Sequence, residues 1–415
     1  MISLVEAIRR AQANEPSFAA SVAARQATAL DRSIARAALL PNAVYHNQFL
    51  YTQGSGQPIP AGQVAATAAT PRFIANNAVH EYVSQGSVTE TLGLGQLGEL
   101  RRAEAAAARS TAELEIARRG LVGTVVGLYY GSLASDRKLA VAERALSEAN
   151  AFTDLTGKRE DAREVAHADV VKAQLQQQQR QRDLLDAQLA AERARLELGV
   201  LLFADPRTHY QLEPAGTPAA LPDRIAGRAS AEAVKNPELR SALAALRESD
   251  AGVLSARAAY LPDLTLNYTY GIDAPQFARE GPDHIRNLGY SASVTLDIPI
   301  WDWLATEHRV RQSEIRRDAV RVALSAAQRR VIADFEELYS EARAAAEQSA
   351  SLEASVHTAE ESLRLTKLRY TEGEATVLEV VDAQNAFTSA QDSREDGILR
   401  YQQAIANLET LTGSL

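Results

Sequence analysis

The chain of 415 residues contains no cysteine, which excludes a disulfide framework, a thiolate metal site and a cysteine nucleophile. Its seven histidines, His46, His80, His167, His209, His284, His308 and His357, show no metal-ligand spacing and no H-E-x-x-H pattern. No Ser/His/Asp constellation is recognisable either, so the sequence gives no reason to expect a catalytic residue, a cofactor or a metal. No apolar run reaches the roughly 18 residues that a membrane-spanning helix needs. Passage through a bilayer would therefore require β-strands. Acidic and basic residues, 53 against 44 for a net charge of −9, are mixed along the chain, without the concentrated basic face of a nucleic-acid-binding protein. The opening Met1 to Arg9 is amphipathic and lacks the basic region, apolar core and small-residue cleavage site of an export signal. It is read either as intracellular or as a chain whose signal is not part of this sequence.

What is present is written twice. Asn14-Glu15-Pro16 recurs as Lys235-Asn236-Pro237, and each proline is followed 25 residues later by the proline of a Leu-Pro pair, Leu40-Pro41 and Leu261-Pro262. At this offset of 221, Ala35-Arg36-Ala37-Ala38 falls on Ala256-Arg257-Ala258-Ala259. Farther on, Ser87-Val88-Thr89 matches Ser293-Val294-Thr295 at 206, and Tyr129, Leu155, Gln174, Leu198 and Leu201 match Tyr339, Leu365, Gln384, Leu408 and Leu411 at 210. A long internal repeat of this kind defines the structural unit. The reading is a first repeat over 1–203, a proline-rich connecting segment over 204–228 and a second repeat over 229–415.

Each repeat opens with a helix, placed in the second copy at about 231–259 and ended by the Leu-Pro pair, because the residue before proline disfavours helical geometry. The hydrophobic period then changes from 3.6 to 2. Leu264, Leu266, Tyr268 and Tyr270 alternate with polar residues, as do Tyr290, Ala292, Val294, Leu296 and Ile298, giving strands at about 263–272 and 287–298. The first copy has weaker equivalents at about 43–52 and 80–94, where Gly86 and Glu90 interrupt the alternation. Its connecting loop, with the low-complexity run 53–62, is about 15 residues longer, which accounts for the fall in offset from 221 to 206. Proline-free stretches rich in alanine, leucine, arginine and glutamate follow. They predict rods at about 99–156 and 164–202, and again at about 303–368 and 376–411. Val171, Leu175, Leu185, Leu189 and Leu196 take heptad positions on the second rod, with Gln178, Arg182 and Glu192 in the remaining seam positions.

Four strands, each apolar on one face, cannot satisfy their edges in lipid within one chain. Closure has to come from other copies: two chains would make the smallest barrel of eight strands and three would supply twelve. Tyr260, Tyr268, Tyr270, Tyr290, Trp301 and Trp303 lie at strand ends and faces, as an interfacial aromatic belt would. Gly93-Leu-Gly-Gln-Leu-Gly98 satisfies the dinucleotide pattern G-x-G-x-x-G, with Glu113 twenty residues beyond Gly93. The helix that follows is too long for a βαβ crossover, no parallel strand succeeds it, and the second copy reads Asp297-Ile-Pro-Ile-Trp-Asp302, without glycine. The glycines are expected instead to relieve crowding where strand passes into helix.

Asn236-Pro-Glu-Leu239 followed by Tyr260-Leu-Pro-Asp263, the turn Ile298-Pro-Ile-Trp-Asp302, and Arg369-Tyr-Thr-Glu-Gly373 leading to Glu379-Val-Val-Asp-Ala383 span nearly the whole chain. In these features the chain resembles the TolC-like outer membrane efflux proteins, the exit ducts of tripartite drug pumps and type I secretion systems. The resemblance implies a mainly α protein with a membrane β-barrel portion. Its homotrimer would form a 12-stranded barrel through the outer membrane of a Gram-negative bacterium, continued by a 12-helix periplasmic tunnel. It also implies two protein partners, a periplasmic adaptor (membrane fusion) protein and an inner-membrane pump, with outer membrane lipid around the barrel. By the same resemblance the acidic constriction falls on Glu379 and Asp382, and inter-helix gate contacts on Asp169 and Tyr370. The family's basic residue two positions after the glycine is Ala375 here, and the first copy carries Arg163 where the glycine belongs.

Glu379 and Asp382, three apart on a helix, share a face. Threefold symmetry would bring six carboxylates toward one axis, attracting cations, and crowding would raise their pKa values. His167 lies two residues from Asp169, where its protonation would bear on closure. The competing reading is a soluble or periplasmic coiled-coil adaptor or scaffold, in which the rods bind partners and the strands form a small soluble domain.

Overall fold

The computed structural model describes residues 1–51, 80–214, 236–274, 276–281 and 284–412. Its helices are α1 (Leu4–Asn14), α2 (Pro16–Ala37), α3 (Leu94–Asp161), α4 (His167–Leu202), α5 (Pro237–Ala258), α6 (Ala305–Thr371) and α7 (Val377–Thr412). Its strands are β1 (Asn42–Tyr51), β2 (His80–Leu92), β3 (Asp263–Ala274) and β4 (Leu288–Asp297). The long first hairpin loop, with its low-complexity run, and most of the connecting segment lie outside the described residues.

Local chemistry explains the boundaries. Proline opens both α2 and α5, at the first helical position where its missing N–H costs nothing. Ahead of it, Glu15 and Asn236 accept from the backbone N–H groups of Ser17 (3.4 Å) and Glu238 (2.8 Å). α3 and α6 contain 68 and 67 residues, about 100 Å each at the helical rise. α3 begins at Leu94, five residues nearer the strand than its sequence pattern predicts. The described chain divides into two compact units that cut across both repeats: a helical unit of Met1–Gln26, Ala108–Leu243 and Val322–Leu415, and a sheet unit of Ala27–Ala107 and Ala244–Arg321.

In the helical unit the core combines alanines with leucines and aromatic residues. Ala7 and Ala11 of α1 pack against Leu121, Val125 and Tyr129 of α3 and Leu198 and Leu202 of α4. Ile2 joins this cluster by a parallel bridge to Leu212, and the Tyr129 hydroxyl lies 3.1 Å from the Ile2 carbonyl and 3.0 Å from that of Glu213. A second cluster joins Phe335, Ala342 and Ala345 of α6 to Tyr401, Ala404 and Leu408 of α7. Charged pairs such as Lys138–Asp396 (2.6 Å) and Lys367–Glu148 (2.9 Å) lie outside these apolar seams.

The heptad stripe of α4 is not the seam used within the chain. Leu175, Leu185 and Leu189 are 62%, 61% and 45% exposed in the single chain, and Val171 and Leu196 are exposed as well. The inward face of α4 is Val170, Ala173, Ala191, Leu198 and Leu202. Alanine lets long rods approach closely, so the intrachain seam selects small residues and leaves the leucine stripe outside.

The sheet unit carries an antiparallel meander in the order β1-β2-β3-β4. Its register sets Tyr45 opposite Gly86, Gly86 opposite Tyr270 and Tyr270 opposite Tyr290, so these four share one face. Residues two apart follow them, which puts Phe49, Val88, Tyr268, Leu266, Val294 and Leu296 on that face. The opposite face carries Gln48, Gln85, Ser87, Thr89, Asn267, Thr269, Ser291, Ser293 and Thr295; in the first pair the separation is broken by Val44, Leu50 and Val83 on this face and by Asn47, Ser84 and Glu90 on the other. β4 is exposed along nine of its ten residues, on both faces, and β1 likewise. Gly86 is the position where the tyrosine row narrows: a Cβ there would sit 4.0 Å from the Tyr45 ring and 3.9 Å from the Tyr270 carbonyl.

Candidate functional site

The candidate site is where α3 turns into α4 and α6 turns into α7. Both turns are closed by a left-handed residue, Arg163 (φ 62°) in the first and Gly373 (φ 81°) in the second. The Arg163 N–H donates to the Glu160 carbonyl (2.7 Å) and that of Glu164 to the Arg159 carbonyl (2.8 Å); Gly373 and Glu374 do the same to Tyr370 (3.1 Å) and Arg369 (2.8 Å). This is the helix-ending pattern in which a left-handed residue lets the last free carbonyls find donors. Arg163 therefore performs the glycine's backbone role with a side chain attached.

Tyr370 is buried beside the turn with Phe152, Ala173, Val377 and Val380. Its ring lies 5.2 Å from that of Phe152, and its hydroxyl donates to Thr156 at 3.4 Å. Over its other side lies the Arg159 guanidinium, 4.8 Å from the ring centroid, a distance at which cation–π attraction operates. Arg159 also donates to the Tyr370 carbonyl and, through Nε, to Glu164 at 2.9 Å. Phe152, Thr156 and Arg159 are the residues that sequence reasoning missed. The available signal was the repeat itself, since the offset of 210 pairs Arg159 with Arg369.

Glu379 and Asp382 are both exposed, in the first turns of α7. Glu379 closes a capping box with Thr376: its carboxylate accepts from the Thr376 N–H (3.2 Å), and the Thr376 hydroxyl accepts from the Glu379 N–H (3.3 Å). The Thr376 backbone and hydroxyl donors, with Arg369 at 3.5 Å, hold the Glu379 carboxyl below the usual glutamate range. Within one chain this runs opposite to the rise expected from a crowded ring. Asp169 stands in the first turn of α4 and pairs with Lys172 at 3.4 Å. The residue that starts α4, His167, places Nδ1 2.7 Å from Glu160. Thus Tyr370 sits in the packed layer, Glu379 and Asp382 on the open face of α7, and Asp169 on a separate ion pair.

In the sheet unit Tyr260, Tyr268, Tyr270, Tyr290, Trp301 and Trp303 are all about half or more exposed. Tyr268 and Tyr290 stack with centroids 6.3 Å apart, and Trp301 meets Trp303 edge-on at 5.9 Å. The turn from β4 into α6 lacks glycine, and Trp303 (φ 58°) and Leu304 (φ 64°) take the left-handed conformation there. Asp302 holds that turn by accepting from the Thr306 backbone (2.8 Å) and hydroxyl. In the first copy a Cβ on Gly93 would stand 2.0 Å from Asp263 Oδ1 and one on Gly98 2.9 Å from the Ser255 Cα, whereas Gly95 faces open space. Two of the three fingerprint glycines thus relieve crowding.

Residues 229–414 match the family model for outer membrane efflux proteins. That stretch, a little under half of the chain, is similar to the outer membrane efflux proteins. That family resides in the outer membrane of Gram-negative bacteria, and the mainly helical fold with one small sheet is the TolC-like one. The outer-membrane channel OprN superposes with a TM-score of 0.85 at 20% identity, covering 99% of this chain and 89% of that one. Protein CyaE of Bordetella pertussis is 29% identical over 51% of this chain, and the pyoverdine export outer membrane protein OpmQ of Pseudomonas putida is 28% identical over 72%. The matched regions span 46% of CyaE and 63% of OpmQ, less than two thirds of either.

Proposed function

We propose that this chain is an outer membrane efflux protein, the exit duct of a tripartite efflux or type I secretion system that passes substrates from an inner-membrane pump and a periplasmic adaptor to the exterior. The observation that carries the reading is the sheet: four strands, the second pair with one apolar and one polar face, open at β1 and β4 and exposed on both faces along those two outer strands. In lipid each unpaired backbone group costs several kcal/mol, so such a sheet calls for partners on both edges. Three copies supply twelve strands, with the polar face toward a water-filled lumen, the tyrosine face toward lipid and the tryptophans at the interface. A homotrimer likewise covers the exposed leucine stripe of α4 and gathers twelve rods into a tunnel. At its periplasmic end, Glu379 and Asp382 from three chains form the acidic constriction, with Tyr370 and Asp169 in the layer that positions it. The relatives' names, for pyoverdine export among others, support export without fixing this chain's substrate.

Imaging of the detergent-solubilised particle tests the assignment. A threefold hollow tube is the expected result. Extraction as a water-soluble monomer would favour the coiled-coil scaffold instead.

A further inference from the structure

The two helical hairpins are copies of one another in sequence order, yet they are not equally full. At the offset of 210, Ala142 and Ala187 of the first hairpin correspond to Leu352 and Gly397 of the second. In the second hairpin this pair interlocks: Leu352 lies so close over Gly397 that a Cβ there would overlap its Cδ1. In the first, two methyl groups stand where a leucine would, and a cavity of about 310 Å³ opens between α3, α4 and α7. Val141, Ala142, Ala145, Ala187 and Ala190 give it a hydrocarbon wall. Its volume is at the lower end of the range for small-molecule sites, roughly 300–1,000 Å³.

Charge decides what the cavity suits. Lys138, Arg180, Asp183, Asp186 and Asp392 also line it. Both cations are already engaged, Lys138 with Asp396 at 2.6 Å, and Arg180 with Asp183 at 3.2 Å and the Asn385 side chain at 2.7 Å. Among the described residues, Asp186 and Asp392 have no hydrogen-bond or salt-bridge partner. Asp392 is partly buried, and burial above all holds its carboxyl above the usual aspartate value. A carboxylate so placed is stabilised by a cation that brings its own hydrogen-bond donors. An anion is disfavoured by the surplus of acid. A bare divalent ion is disfavoured by Lys138 and Arg180 beside it and by a wall that offers it no oxygen ligand.

We propose that this cavity binds a small primary amine in its ammonium form, with the ammonium group on Asp392 and the hydrocarbon part against the alanines. The ligand then occupies the space that Leu352 fills in the second hairpin, and the exposed Asp186 adds to the attraction. All of these residues come from one chain, so the site goes beyond the exit-duct reading and does not depend on it.

Cyclohexylamine is the probe, titrated calorimetrically into the full-length protein in detergent, with detergent alone as the blank. One saturable site per chain is expected, and cyclohexanecarboxylate or magnesium ions should give none. Asp392→Asn keeps the shape and removes the charge, so it should weaken the amine about tenfold or more. Ala142→Leu with Ala187→Gly gives the first hairpin the second hairpin's pair; with the space filled, binding should vanish while the thermal midpoint holds or rises. Absence of a saturable heat with the parent protein overturns the site. So does a carboxylate that binds as tightly as the amine, or an amine affinity that neither variant moves. Should the double variant fail to fold, Asp392→Asn decides alone: an unchanged affinity overturns the proposal, and a loss with the carboxylate control silent sustains it. A particle that proves to be a monomer would remove the duct reading and leave this titration standing.

Discussion

Arg163 and Gly373 stand 210 residues apart in one left-handed conformation, with φ of 62° and 81°, and each closes a helical hairpin with the same pair of backbone bonds. An L side chain in that conformation costs on the order of 1 kcal/mol, and glycine escapes that cost while losing more freedom on folding. Arg163→Gly should therefore steady the first turn by up to about 1 kcal/mol, and Gly373→Ala should loosen the second by about as much. The alanine meets no obstacle, since its Cβ would be 3.9 Å from the Arg159 guanidinium, so the loss is conformational. Amide hydrogen exchange at Glu164 and Glu374 reads both effects: slower in the first variant, faster in the second.

The capping box predicts a pH response. The Glu379 carboxyl is held below its ordinary value by the Thr376 donors first and Arg369 last, so the folded chain binds this proton less readily than the unfolded one. The stabilisation is then fully present above the ordinary glutamate value of 4.5 and is lost as pH falls through the lower folded value. Exchange of the first-turn amides of α7, corrected for intrinsic rate, should accelerate below about pH 4. Thr376→Ala should move that onset upward and Glu379→Gln should flatten it. α4 is preceded by Ala166 at its N-cap, without a side-chain cap, and serves as the internal control.

How far the sequence carried the fold follows from what repeats. α2 and α5 begin and end 221 residues apart; the ends of α3 and α6, and both ends of α4 and α7, lie 210 apart. Proline, the Leu-Pro pairs and the change of period are local signals, and they fixed these boundaries to within a few residues. Packing was less legible. Heptad leucines mark one side of α4, whereas the close seam within the chain is on another and uses Ala173 and Ala191, which carry little hydrophobic signal of their own. The Arg159–Tyr370 contact joins residues 211 apart and has no pattern in either segment. It becomes visible only when the two copies are compared for what differs between them.

The glycine fingerprint gives a prediction that separates strand-to-helix crowding from nucleotide binding. Gly98 approaches the Ser255 backbone so closely that a Cβ, 2.9 Å from its Cα, must push helix from helix, whereas at Gly95 a Cβ meets nothing. Gly98→Ala should therefore destabilise the sheet unit. Gly95→Ala should stabilise α3 by about 0.5–1 kcal/mol through helix propensity. Thermal unfolding in detergent distinguishes the two. A phosphate cradle would instead make both substitutions costly to a bound nucleotide, and neither would gain stability.

The proposed acidic constriction predicts a conductance change with a definite sign. Glu379 and Asp382 are exposed on the same side of α7, and in the proposed trimer they would contribute six carboxylates to one opening. Like charges at close quarters repel anions from the opening and concentrate cations there. Replacing both with alanine removes side-chain bulk and charge together, so single-channel conductance in a planar bilayer should rise and cation preference should fall. Glu379→Gln with Asp382→Asn keeps the bulk and removes the charge, so it should lower cation preference with little widening. If the amide pair and the alanine pair behave alike, charge alone sets the constriction. If neither moves conductance or selectivity, the opening lies on other residues, and Glu379 is left with its capping role at the start of α7.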